Sequence, residues 1–274
     1  MSLRDALFHE ESGITLYCGD CREVLPRLES VVDLVLTSPP YNLGTTSGGG
    51  FPGRERLGHY AEQAPMGQRS GAGKNRTGKW SGGALANGYA SHDDAMPHDA
   101  YLNWQRTTLA ACWSLLSIGG AIYYNHKPRV LNGALVAPID YVPADLRQYV
   151  RQEIIWARAG GVNFSSVFYV PTHERIVIVA RPDFRLRDKA ASGVGDVWYI
   201  PQAPDLEHPA PFPLNLATRA IETTPAALVL DPFVGSGTTL LAAKLLGRHA
   251  IGIEIEPRYC EIAVKRLRQE VLFR

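Results

Sequence analysis

Between Ala226 and Gly247 the chain reads AALVL, DPFVGSGTT and LLAAKLLG: an apolar run, a glycine-rich turn and an apolar helical pattern. Strand, turn and helix in this order form the unit from which a sheet covered by helices is built, and no other stretch constrains the fold as much. Gly235 and Gly237 let the backbone turn tightly and approach a ligand, and the helix that follows offers free N–H groups at its start. No lysine follows Gly237, which argues against a phosphate-binding loop. The next apolar run, HAIGIE, ends in Glu254, about where a Rossmann-like fold sets an acid against ribose hydroxyls. A nucleoside-containing ligand is the functional reading, and a close-packing turn between strand and helix is the plain one.

A second strand end, far upstream, carries different chemistry. The run VDLVL (Val32 to Leu36) leads into Thr37-Ser38-Pro39-Pro40-Tyr41. Proline has no N–H to donate and a restricted φ, so the proline carbonyls are available as acceptors pointing into a pocket. Ser38 adds an acceptor oxygen, and Tyr41 offers a ring on which a planar base could stack. Together they suit an exocyclic NH2 group. A proline-rich strand-to-loop turn with Tyr41 partly in the core is the other reading.

These residues, taken together, resemble the S-adenosylmethionine-dependent amino-methyltransferases of DNA, the cytosine-N4 and adenine-N6 family. TSPPY is similar to the family's catalytic motif and DPFVGSGTT to its cofactor motif. HPAPFP (His208 to Pro213) is similar to its HP-x-x-x-P element, GIEIEPRYCEIAVKRL to its ribose-holding segment, and LYCGD to its adenine-contacting element. The catalytic motif comes first and the cofactor motif last, as in the circularly permuted beta class. The resemblance implies a Rossmann-like, doubly wound mixed α/β sheet with a terminal antiparallel hairpin. It implies catalytic roles for Ser38, Pro39, Pro40 and Tyr41. It places Phe233, Gly235 and Gly237 at the methionine end of the cofactor, Asp231 at its amino group either directly or through water, Glu254 at the ribose and Asp20 at the adenine, with Thr37 and Phe212 beside them. For Asp20, a cap on the following CREVLPRL helix is an equally physical role. Phe212 and His208 either shape the pocket floor or orient the next helix.

A length of 274 residues, 45% hydrophobic and 20% charged, fits one α/β catalytic domain spanning 1–274. The formal net charge of +1 gives no global pull toward nucleic acid, so contacts with double-stranded DNA must come from local patches. One segment has the right composition: about 44–94 is crowded with Gly, Ser and Asn, and its bases outnumber its acids. Arg54, Arg69, Lys74, Arg76, Lys79 and Trp80 are expected to touch DNA there. The stretch from Pro182 to Glu207, where the family usually carries recognition, is short. A solvated loop without specific function is the alternative for the insertion.

Four cysteines are present, and Cys18 and Cys21 form a C-x-x-C. No second ligand pair accompanies it, so no metal site is expected. No cysteine follows a proline, so the nucleophile needed for methylation at cytosine carbon 5 is missing. Without a run of about 18 apolar residues or a signal core, neither membrane insertion nor secretion is expected, and a cytoplasmic location follows by default. A cognate restriction endonuclease is a partner the resemblance allows. The sequence leaves the oligomeric state open, a homodimer among the options.

Serine before PPY is commoner among family members acting on cytosine N4, and Asp or Asn among those acting on adenine N6. The expected reaction is therefore methylation of a flipped cytosine at N4, with adenine N6 as the alternative and a DNA- or cofactor-binding protein without catalysis as a third reading. His173-Glu174 reads as a strand-edge pair more readily than as a general base. Further along the chain, a helix is expected from Asp99 to Leu116, stopped by Gly119-Gly120. Short helical pieces are expected over Val130 to Tyr149, and strands at Arg151 to Ala159 and Arg175 to Arg181.

Overall fold

The computed structural model describes residues 2–42, 95–158, 169, 171–202 and 213–269. The proposed insertion with Arg54, Arg69, Lys74, Arg76, Lys79 and Trp80 lies outside the described residues, as do His208 and Phe212.

Alternation along the VDLVLT run sets the layers. Leu34 and Leu36 belong to one apolar cluster, and Val35 between them to a second one on the opposite face. The strand is therefore buried on both sides, and helices must cover both. In chain order the elements are α1 (Leu3–Ala6), β1 (Leu7–Glu11), β2 (Ile14–Cys18), α2 (Cys21–Val24), β3 (Val32–Thr37), α3 (His98–Ser114) and β4 (Leu116–His126). A small hairpin follows, β5 (Arg129–Leu131) and β6 (Ala134–Val136), then β7 (Val150–Ala157), β8 (His173–Ala180), α4 (Lys189–Ser192) and β9 (Val197–Tyr199). The chain closes with α5 (Leu214–Glu222), β10 (Leu228–Asp231), α6 (Thr238–Leu245), β11 (His249–Glu254) and α7 (Pro257–Gln269). α5, α6 and α7 pack on the Leu34 face, and α2 and α3 on the Val35 face.

The nine-stranded sheet has the order β1-β2-β11-β10-β3-β4-β8-β7-β9. Strands β2, β11, β10, β3 and β4 run parallel. β1 is antiparallel to β2, and β8 is antiparallel to both β4 and β7. This is the doubly wound mixed sheet that the resemblance implies. The β7–β8 hairpin forms near one end, with β9 added parallel outside it. Most telling is the pairing of an early strand with a late one, Val229 opposite Leu34 and Leu230 opposite Val35. That pairing makes the order a permuted one and brings the ends of both motif-bearing strands to the same sheet edge.

Two local expectations are corrected. α3 ends at Ser114, and Gly119-Gly120 lie inside β4 rather than stopping the helix. Over Val130 to Tyr149 helical pieces do occur, as 3-10 turns at Pro138–Tyr141 and Ala144–Tyr149, but the first part is the β5–β6 hairpin. Its turn is Asn132-Gly133, both at positive φ, the pair that two-residue hairpins favour. The β1–β2 hairpin, turned by Ser12-Gly13, is an addition to the expected elements; its β1 segment, LFHEE, has no apolar alternation to mark it.

Candidate active site

The site lies along the carboxyl ends of the parallel strands. At the end of β10, Asp231 is buried and accepts three hydrogen bonds: from Thr37 Oγ1 at 2.8 Å, Thr239 Oγ1 at 2.6 Å and the Phe233 N–H at 3.0 Å. Burial pushes its carboxyl up to about 6, against the pull of these donors. Thr37 closes β3 and Thr239 opens α6, so one carboxyl group ties the TSPPY turn to the glycine turn. The Asp231 side chain is thus engaged inside the protein by three donors. Thr37, also fully buried, acts within the same link.

Gly235 and Gly237 both adopt positive φ, +52° and +88°. A Cβ on Gly237 would lie 2.8 Å from the Ala263 Cβ, so α7 packs where only glycine fits. Arg266 of α7 fixes the loop through hydrogen bonds to the Ser236 carbonyl, Ser236 Oγ and Thr238 Oγ1. α6 begins without a side-chain cap. Glu254, at the end of β11, accepts the Gly235 N–H at 2.8 Å and the Glu256 N–H at 2.9 Å, and burial pushes it up to about 7. Its strand neighbour β2 ends beside it, where the Gly19 N–H donates to the Glu254 carbonyl. The next residue, Asp20, caps α2 through the Arg22 N–H and pairs with the Arg22 guanidinium. The cap role is therefore present, at a position in line with Glu254. Phe233 is half-buried against the edge of Trp104, ring centroids 5.3 Å apart.

A glycine cradle, an acid at the end of the next strand, a second acid beyond it and an aromatic wall fit a nucleoside-bearing sulfonium. Each carboxylate oxygen of Glu254 has spare lone-pair capacity for a ribose hydroxyl beyond the N–H it already accepts.

Around Tyr41 the structure gathers Glu174, which the sequence marked as a strand-edge residue, with residues that the sequence did not single out. The Tyr41 hydroxyl donates to Glu174 Oε2 at 2.7 Å and lies 2.8 Å from Ser38 Oγ. Asn125 Nδ2 reaches Glu174 Oε2 at 2.7 Å, the Tyr41 hydroxyl at 2.9 Å and Ser38 Oγ at 3.2 Å. Glu174 Oε1 pairs with Arg158 at 3.0 Å, their side chains 5% and 14% exposed. Glu174 is the second residue of β8, and because that strand is antiparallel, its first residues lie at the edge where β3 and β4 end. Its pairing as a strand-edge residue and its presence in the site are thus both true. One face of the Tyr41 ring meets His126, centroids 4.6 Å apart. Tyr101 donates to the Pro40 carbonyl at 2.6 Å and lies 2.8 Å from His126 Nε2. Burial holds His126 neutral, pushing it down to about 3, and raises Tyr41, which stays a phenol. Asn125 and Arg158 lie in ordinary strand sequence; only an HE pair opening an apolar run hinted at Glu174.

The family model N6_N4_Mtase, DNA methylase, matches residues 32–265. The chain belongs to this DNA methylase family. It is an amino-methyltransferase of the cytosine-N4 and adenine-N6 class. The methylase is 26% identical to the type II methyltransferase M.ScaI of Streptomyces caespitosus, covering 96% of its own length and 84% of that protein's. To M.BglII of Bacillus subtilis the identity is 25%, over 93% and 69%. Among solved structures, a DNA modification methylase of Thermus thermophilus, crystallised with S-adenosyl-L-methionine, aligns with a TM-score of 0.58 over 94% of the methylase and 95% of that chain, at 24% identity. PvuII DNA methyltransferase, a cytosine-N4-specific enzyme, aligns with a TM-score of 0.65 over 95% and 89%, at 16% identity. These likenesses carry the fold. Among the described residues no helix is long and apolar enough to cross a membrane, and no cluster of His, Cys, Asp and Glu could hold a metal ion.

Proposed function

We propose that this methylase transfers a methyl group to the N4 amine of a cytosine flipped out of double-stranded DNA. S-adenosylmethionine is the cofactor, and when bound it supplies the electrophilic methyl carbon. The observation that supports the reading most is the Thr37–Asp231–Thr239 link, which fastens the base-holding turn to the glycine turn. Methyl transfer needs nitrogen, carbon and sulfur in line, so fixing two loops in register is a direct contribution to rate.

In this reading Ser38 Oγ and the Pro39 carbonyl accept the two amine hydrogens, favouring a pyramidal nitrogen as charge develops there. Pro40 shapes the turn, its own carbonyl being taken by Tyr101. The Tyr41 ring face not packed on His126 receives the flipped base. Phe233, Gly235 and Gly237 hold the methionine end of the cofactor, Glu254 the ribose and Asp20 the adenine, while Asp231 and Thr37 keep the loops in register. Serine at 38 supports cytosine over adenine. The type II names of the relatives support a place beside a restriction endonuclease with the same recognition sequence.

The test is nucleoside mass spectrometry of mixed-sequence DNA after incubation with the methylase and labelled S-adenosylmethionine. N4-methylcytosine is expected. N6-methyladenine instead would move the target base while keeping the chemistry, and no labelled nucleoside despite cofactor binding would remove the catalytic reading.

A further inference from the structure

A serine hydroxyl, unlike a carboxylate, can show a partner either a proton or a lone pair. To receive an amine hydrogen, Ser38 must show the lone pair. Something has to dispose of its own proton.

We infer that Glu174 does this at second hand: it is a positioning residue that, through Tyr41, fixes the direction of the Ser38 hydroxyl. The inference rests on the reading of Ser38 as the amine acceptor. Glu174 Oε2 lies 2.7 Å from the Tyr41 oxygen. An ionised carboxylate has no proton, so the one between them must come from Tyr41. With its proton committed, the Tyr41 oxygen can only accept from Ser38, 2.8 Å away. The Ser38 proton is thereby turned inward. Asn125 reinforces this sense. Its amide nitrogen faces Glu174 Oε2, the Tyr41 oxygen and Ser38 Oγ, since turning the amide would set Oδ1 against the carboxylate. Its two hydrogens serve three acceptors, so Ser38 keeps a lone pair for the substrate.

The carboxylate itself is anchored from the far side by Arg158 at 3.0 Å, which leaves Oε2 for the tyrosine. Ser38 so oriented accepts from an amine and repels a carbonyl oxygen. The site would then reject thymine O4 and guanine O6 on polarity as well as on shape.

Single-turnover methyl transfer on duplex DNA, with Tyr41→Phe, Glu174→Gln and the double variant, tests the inference. Tyr41→Phe keeps the ring and the Arg158 pair but removes the relay. Each single variant is expected to transfer about 10²-fold more slowly, the usual scale for one misdirected polar group at a reacting centre. Affinities for S-adenosylmethionine and DNA should be unchanged. Because both substitutions interrupt one chain, the double variant should be no slower than the slower single. Losses that multiply, or a single variant at wild-type rate, overturn the inference. Should Glu174→Gln fail to fold with Arg158 unpaired, Tyr41→Phe decides alone, wild-type speed again overturning it. A wild-type protein that binds the cofactor and methylates nothing overturns the functional reading itself, and the inference with it; a fast variant overturns only the inference.

Discussion

At the scale of single residues, Asp231 occupies a place where ionisation is costly. Its folded value of about 6 lies above the ordinary 3.8, so the folded state holds the proton more tightly than the unfolded chain. Its stabilising contribution is whole below the ordinary value and is lost as pH rises through 6. Glu254, raised to about 7 from 4.5, acts in the same sense. Asp231→Asn should therefore flatten the fall in stability between these pH values by about 1–3 kcal/mol, the Thr37 and Thr239 hydroxyls turning to suit the amide. Thermal unfolding of the cofactor-free protein across this range checks it, and an unaltered slope would show that the carboxyl is not held protonated. Residues of the candidate site stood out in the sequence where their type was unusual for their place: prolines ending a strand, glycines opening a helix, an acid closing an apolar run. Asn125 and Arg158 did not, and Glu174 showed only as half of a strand-edge pair with His173, because their meaning comes from pairing across strands. Asn125 and Glu174 are 49 positions apart and meet only because β4 lies against β8.

At the scale of elements, the glycine turn is fixed by two constraints acting together. Gly237 has φ +88°, and any Cβ there would press on Ala263. Gly237→Ala is expected to cost about 1–3 kcal/mol of stability, from backbone strain and the displacement of α7. Denaturant unfolding measures the first effect, and weaker binding of S-adenosylmethionine by calorimetry should accompany it; a neutral substitution would mean that α7 yields freely. The long, strongly apolar elements were readable from the sequence to within a few residues. Shorter ones were not. The segment VLNGALV contains the Asn-Gly pair of a two-residue hairpin, but the strands it joins have three residues each and too little pattern to declare themselves. Gly119-Gly120 misled because a glycine pair after an amphipathic run resembles a helix stop. Inside β4, Gly120 instead lets the strand pass close to Leu116 and the Asp33 carbonyl.

At the scale of the whole molecule, a net charge of +1 cannot draw DNA to the site, so the attraction has to be local. We propose that Arg54, Arg69, Lys74, Arg76 and Lys79 supply it. Replacing them by alanine should weaken DNA binding and reduce the slope of log affinity against log salt by about 0.9 for each phosphate no longer neutralised. Fluorescence anisotropy at several salt concentrations reads this, and an unchanged slope would take the DNA-binding role away from that segment. The sheet's outline was legible from the order of its motifs, but the seating of β10 between β3 and β11 was supplied by resemblance, since no local pattern encodes strand neighbours. That seating governs how the protein comes into being. Thr37 and Asp231, which meet side by side, are separated by 194 positions along the chain. A ribosome therefore finishes the TSPPY half long before it makes the strands that join β2 to β3 and carry the glycine turn. An unfinished chain holds one half of the Thr37–Asp231 link with no partner for it, so the link cannot assemble until the last strands have left the ribosome.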